Sequence, residues 1–143
     1  MQNNSIGKVW KLIERRFRDQ GFCVKEICGE TGMSMSALHE FLSVKCGMTP
    51  HLLIETRRLI EALSLMRGDG LREGMIAGGC GFSNIRTFRR AFERRLGMPP
   101  TEAMVSLRDS ADGDRFQNQC IKRLSETGGG GRYVRMEHEE KRV

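Results

Sequence analysis

The stretch Gly81-Phe82-Ser83-Asn84-Ile85-Arg86-Thr87-Phe88-Arg89-Arg90-Ala91-Phe92-Glu93-Arg94-Arg95-Leu96-Gly97-Met98-Pro99-Pro100 decides how this chain folds. Ser83 is a good helix N-cap. Ile85, Phe88, Ala91, Phe92 and Leu96 then fall at helical spacing on one face, and Gly97 ends the helix. The rest of the helix carries Arg86, Arg89, Arg90, Arg94 and Arg95 against Glu93 alone. Downstream, Pro99-Pro100 leads into a short helix over about Thr101 to Arg108. Upstream, Met75-Ile76-Ala77 predicts a short and weak helix, because interior glycine costs about 1 kcal/mol and Gly78, Gly79 and Gly81 crowd it. The unit reads as short helix, glycine turn, capped second helix: the helix-turn-helix layout.

The same pattern occurs earlier in the chain. Gly32-Met33-Ser34, Leu38, Leu42 and Gly47-Met48-Thr49-Pro50 parallel Gly81-Phe82-Ser83, Phe88, Phe92 and Gly97-Met98-Pro99-Pro100. The opening residues are offset by 49 and the closing ones by 50, and Ile27 and Ile76 stand five positions before the first glycine of each copy. In the first copy Ser34 caps a helix from about Met35 to Cys46, with Leu38, Phe41 and Leu42 inward. Thr49-Pro50 then reads as N-cap and first residue of a long helix to about Arg67, with Leu52, Leu59, Ile60, Leu63 and Met66 on one side. Ile6, Val9, Trp10, Ile13 and Phe17 make one face of an earlier helix. The expected fold is all-α, with about seven helices. Residues 1–48 form a first helix-turn-helix subdomain, 49–67 a linker helix and 68–108 a second subdomain. From Asp109 to Val143 the charges mix without periodicity and Gly128 to Gly131 are consecutive, so a largely disordered tail is expected, with at most a transient helix over Gln117 to Leu124.

The chain has 143 residues and a formal net charge of +6, with a sequence pI of about 9.4. Residues 1–108 hold 17 Lys/Arg against 11 Asp/Glu, and residues 109–143 hold seven of each. All the excess positive charge therefore lies in the helical part, as expected of a nucleic-acid binder. Cys23, Cys28, Cys46, Cys80 and Cys120 form no CxxC pair, and no histidine sits at metal-ligand spacing from them. Most are expected to be small buried hydrophobes. His39, His51 and His138 are scattered, and there is no phosphate loop or nucleophile elbow. No enzyme, cofactor or metal is expected. The N-terminus has no apolar stretch and no run is long enough to span a membrane, so a cytoplasmic, reduced protein is expected. With no sustained heptad pattern, a monomer is expected.

The tandem pair, and above all residues 81–100, resembles the DNA-binding domain of the AraC/XylS family of transcriptional regulators, over roughly residues 6–108. The chain looks like a stand-alone member. Two positions depart from the family's pattern: Glu73 stands where an aliphatic residue is usual, and Pro99 where a Ser or Thr cap is usual. The resemblance implies double-stranded DNA as partner, with both second helices in the major groove. It places Ser36, His39 and Glu40 at base edges, with Ser43 on the same face, and Ile85, Arg86 and Arg90 at base edges in the second unit. Arginine can bridge guanine O6 and N7, glutamate can accept from cytosine N4, and isoleucine can touch a thymine methyl. Arg89, Arg94 and Arg95, and Arg57 and Arg58 on the linker helix, are expected at phosphates. RNA polymerase is a candidate protein partner. The rival reading is an adaptor, a DNA-binding fold that contacts proteins instead, motivated by Glu40 and the weak helix near 73–79.

Overall fold

The computed structural model describes residues 6–68 and 70–126, which form eight α-helices: α1 (Ile6–Arg16), α2 (Val24–Thr31), α3 (Met35–Cys46), α4 (Pro50–Met66), α5 (Glu73–Gly79), α6 (Ile85–Leu96), α7 (Pro100–Leu107) and α8 (Gly113–Glu126). The all-α expectation holds. Helices α2–α3 and α5–α6 are the two helix-turn-helix pairs, and α4 joins them.

Local chemistry sets the boundaries. The Ser34 side chain accepts from the Ala37 N–H and that of Thr49 from the Leu52 N–H, both at 3.1 Å, and Pro50 opens α4. In the second unit the cap is Asn84, not the expected Ser83: its side chain accepts from the Thr87 N–H at 2.8 Å. The second turn therefore holds one more residue than the first, which is why the repeat offset changes from 49 to 50. Pro99 caps α7 with no side-chain hydrogen bond.

There are two hydrophobic cores. The first gathers Val9, Trp10, Ile13, Phe17, Ile27, Leu38 and Leu42 around Leu53 and Ile54 of α4. The second gathers Ile76, Phe88, Phe92, Leu96 and Leu107 around Leu59, Ala62, Leu63 and Met66 of the same helix. Each fully buried side chain of this size contributes about 1.5–3 kcal/mol. Because α4 packs into both cores it is buried on more than one face, so Glu55 and Thr56 are buried as well. Leu52 and Ile60, expected on one side with Leu59, Leu63 and Met66, are only half-buried.

The units also touch directly. Gly81 has φ +106°, and a Cβ there would lie 2.2 Å from the Phe17 carbonyl oxygen. A side chain at this position is strained by its backbone and blocked by the first unit. The turn after α1 and the turn before α6 thus lie against each other.

The largest departure concerns the segment expected to be a disordered tail. Within it, Gly113–Glu126 is helix α8, and Cys120 and Leu124 are buried in the second core, with Phe116 and Ile121 half-buried beside it. These four residues share one helical face; the surrounding charges hid that spacing. Arg67 anchors α8 through Asp114 and Gln117, and Arg123 donates to the Leu96 carbonyl at 3.2 Å. The second unit therefore extends at least to Glu126. The four consecutive glycines and residues 127–143 lie outside the described residues.

Candidate nucleic-acid interface

Helices α3 and α6 expose the faces opposite their cores. On α3, Ser36, His39, Glu40 and Ser43 are all exposed. They line an open groove of about 670 Å³ that continues to Thr49 at the start of α4. On α6, Arg86 and Arg90 are exposed, and no hydrogen bond or ion pair joins either to another described residue. Ile85 is half-buried at the first helical position, so it is neither a core residue nor fully presented.

The other expected cations divide sharply. Arg89 pairs with Glu73 through two contacts of 2.6 and 2.9 Å, and the arginine side chain stays 52% exposed. The carboxylate holds the guanidinium pKa above its ordinary value. Arg94 pairs with Glu55 at 2.5 Å and is 60% exposed. Both can still reach a neighbouring polyanion. Arg95 cannot: its side chain is 4% exposed. It donates to Glu55 at 2.8 Å, to the Thr56 hydroxyl at 2.8 Å and to the Leu124 carbonyl at 3.1 Å. Glu55 thus holds α6 against α4, and Arg95 adds α8 to the same junction.

Arg57 and Arg58, expected at phosphates, are also built into the fold. Arg57 pairs with Glu14 at 2.5 Å and lies over the Phe17 ring at 4.2 Å. Arg58 donates to the carbonyls of Phe17, Asp19 and Phe22 at 2.9, 3.1 and 3.2 Å. Burial lowers the guanidinium pKa of Arg58, although arginine stays charged in proteins. Arg108 repeats this arrangement in the second unit, donating to Met66, Gly68 and Leu71 at 2.8, 3.1 and 3.2 Å. The donors are offset by 50 and the acceptors by 49, the same offsets as the rest of the repeat. Sequence reasoning missed these two staples. Extending the repeat comparison to Arg58 and Arg108 was the signal that could have found them.

The aromatic residues serve the cores. Trp10, Phe17, Phe82, Phe88 and Phe92 are buried, with the Phe88 ring tilted against those of Phe82 and Phe92 at centroid distances of 5.4 and 5.7 Å. Phe41, expected inward, is only half-buried. The five cysteines are free thiols: Cys46, Cys80 and Cys120 are buried, Cys28 is intermediate and Cys23 exposed. Burial pushes the Cys80 thiol up to about 12 and the Cys120 thiol up to about 11, so both stay protonated at neutral pH. Among the described residues no group of His, Cys, Asp and Glu could hold a metal ion, and no helix is long and apolar enough to cross a membrane.

Known proteins show the same domain. The helix-turn-helix domain family matches residues 27–104. The virulence regulon transcriptional activator VirF of Yersinia enterocolitica is 26% identical over 104 residues, 73% of this chain and 38% of VirF. The transcriptional activator RhaS of Escherichia fergusonii is 32% identical over 76 residues, 53% of this chain and 27% of RhaS. The probable transcriptional regulator LumQ of Photobacterium leiognathi is 29% identical over 85 residues, 59% of this chain and 34% of LumQ. The chain thus spans less than two fifths of the length of each of these relatives. No solved structure matches it significantly. With the family matching more than half of the chain and two equivalent helix pairs in the fold, the protein belongs to the helix-turn-helix domain family, in its AraC-type form.

Proposed function

We propose that this protein regulates transcription by binding double-stranded DNA sequence-specifically, with α3 and α6 in successive major-groove segments about one turn (~34 Å) apart. The observation that carries this reading is the pair of repeated helices whose exposed faces hold polar and cationic side chains, with Arg86 and Arg90 paired to no other described residue. Arg86 and Arg90 read guanine edges and Ile85 touches a thymine methyl; Ser36, His39, Glu40 and Ser43 read the other half of the site. Arg89 and Arg94 reach phosphates from their carboxylate partners. Arg57 and Arg95 are left out of the interface, because the fold holds them, and Arg58 is held by three backbone carbonyls. The relatives named as transcriptional activators and regulators support a role at promoters. The protein acts as a monomer in the cytoplasm.

The test is binding to random-sequence duplex DNA across a salt series. With about four cationic contacts, log K against log salt should fall with a slope of about −3.5. A slope near zero contradicts the reading.

A second reading rests on its own observation. Met33, Ala37, Phe41 and Val44 line an open groove of about 390 Å³ on α3, and Val44 is 71% exposed. In this reading the first unit is a protein adaptor, with RNA polymerase as a candidate partner. Absent or salt-insensitive DNA binding favours it.

A further inference from the structure

The two units meet at a cleft of about 130 Å³ lined by α4, the turn after α1 and the turn before α6. Four exposed side chains come to it from three separate parts of the chain: Gln20, His51, and Ser83 with Thr87. None of the four makes a side-chain hydrogen bond to another described residue. Each can donate one. The Arg58 guanidinium lines the same cleft, held in place by three backbone carbonyls. Glu55 is there too, but Arg94 and Arg95 engage its two carboxylate oxygens. The electrostatic balance is therefore positive, with donors left over at the rim. A void of this size is well below the roughly 300–1,000 Å³ of small-molecule pockets.

We propose that this cleft holds a DNA backbone phosphodiester, midway between the two major-groove segments. The inference rests on the function proposed above. When two recognition helices occupy successive major-groove segments on one face of a duplex, the intervening minor groove and its phosphate walls cross the surface that joins the units. In this chain that surface contains the cleft. Its Gln, Ser and Thr side chains are of the kinds that contact phosphate and fix register without reading sequence. The cleft would set the spacing between half-sites, since it ties the phosphate path to the junction of α4 with the second unit.

The experiment uses the full chain and a duplex selected from a randomised library. Phosphates midway between the two half-sites are replaced by neutral methylphosphonates, and affinity is compared for the wild type and for His51→Ala combined with Ser83→Ala. Two lost hydrogen bonds of about 0.5–1.5 kcal/mol each correspond to a loss of about five- to 150-fold. The wild type should lose affinity to that extent on the substituted duplex. The double variant should show a similar loss on ordinary DNA, equal for all sequences, and little further loss on the substituted duplex. A wild type indifferent to central methylphosphonates overturns the proposal, and this arm does not depend on how the variant folds. Losses that add in full, or that depend on sequence, also overturn it. If the wild type binds no duplex at all, the proposed function falls with it; if it binds normally and only the central substitution is silent, the cleft alone is misassigned.

Discussion

Helices α3 and α6 are one design used twice, and comparing them separates what the fold requires from what the surface is free to do. At an offset of 50, Leu38 matches Phe88, Leu42 matches Phe92 and Cys46 matches Leu96, all buried. Outside that stripe almost nothing matches. Ser36 faces Arg86 in the comparison, Glu40 faces Arg90, Val44 faces Arg94 and Lys45 faces Arg95. Helix α3 carries one acid and one base, while α6 carries five arginines and one glutamate. The second helix is thus suited to supply affinity, and the first to supply discrimination with little charge. Position also changes the role of a cation. Lys45 is exposed, 5.9 Å from the Phe41 ring centre, whereas Arg95 is buried because α4 and α8 cover that side of α6.

The sharpest way to break this comparison is to mutate the matched pair Lys45 and Arg95. Arg95→Ala leaves Glu55 and Thr56 buried without their main partner and should destabilise the protein by about 3–5 kcal/mol, toward the lower value because Arg94 stays on Glu55. Lys45→Ala should stay within about 0.5 kcal/mol. Urea unfolding monitored by circular dichroism measures both, and equal effects would show that the two sites are not differently built.

The staples test the opposite point, that the units are alike. Arg58→Ala and Arg108→Ala each remove hydrogen bonds to three carbonyls and should each cost about 1–3 kcal/mol in the same assay. If Arg58→Ala leaves stability untouched while Arg108→Ala does not, the two staples are not equivalent.

A smaller effect is expected at Glu73, which replaces the apolar Val24 of the first unit and holds Arg89. Glu73→Gln frees the guanidinium, so the salt slope should steepen by up to about one unit. An unchanged slope would mean that Arg89 lies away from the phosphates.

The thiols give a chemical version of the comparison. Cys23 is exposed, and Cys80 and Cys120 have pKa values raised by burial. Iodoacetamide at pH 8, read by mass spectrometry, should modify Cys23 in the native protein and the buried pair only after unfolding. Early labelling of Cys80 would mean that the second core opens.

The parts of the fold visible in the sequence are those with a local cause. The caps at Ser34 and Thr49, Pro50 at the start of α4, and the helical spacing of Phe88 and Phe92 each act within a few residues. Asn84 was missed as a cap because Ser83 beside it is as good a capping residue, and only the backbone path chooses between them. Helix α8 was legible only as a transient helix over Gln117 to Leu124, because Cys120 and Leu124 gain their stability from a core assembled by distant helices. The candidate interface was partly legible for the same reason. An arginine at a surface position reads the same whether it meets a phosphate or a carboxylate. What decides between them is Glu55, 39 and 40 positions away from Arg94 and Arg95, and Glu14, 43 positions from Arg57. Arg86 and Arg90 stand out in the structure because no other described residue holds them.

The central claim is that two unlike helices read the two halves of one DNA site. It is tested most directly by selecting sites from a randomised duplex library with the wild type, Arg90→Ala and Glu40→Ala. Arg90→Ala should cost about 1–3 kcal/mol on the preferred site and relax preference at one position in one half. Glu40→Ala should relax a position in the other half and leave affinity within about threefold, or ~0.7 kcal/mol. If both variants shift every sequence alike, neither helix reads bases through these residues, and the account is contradicted.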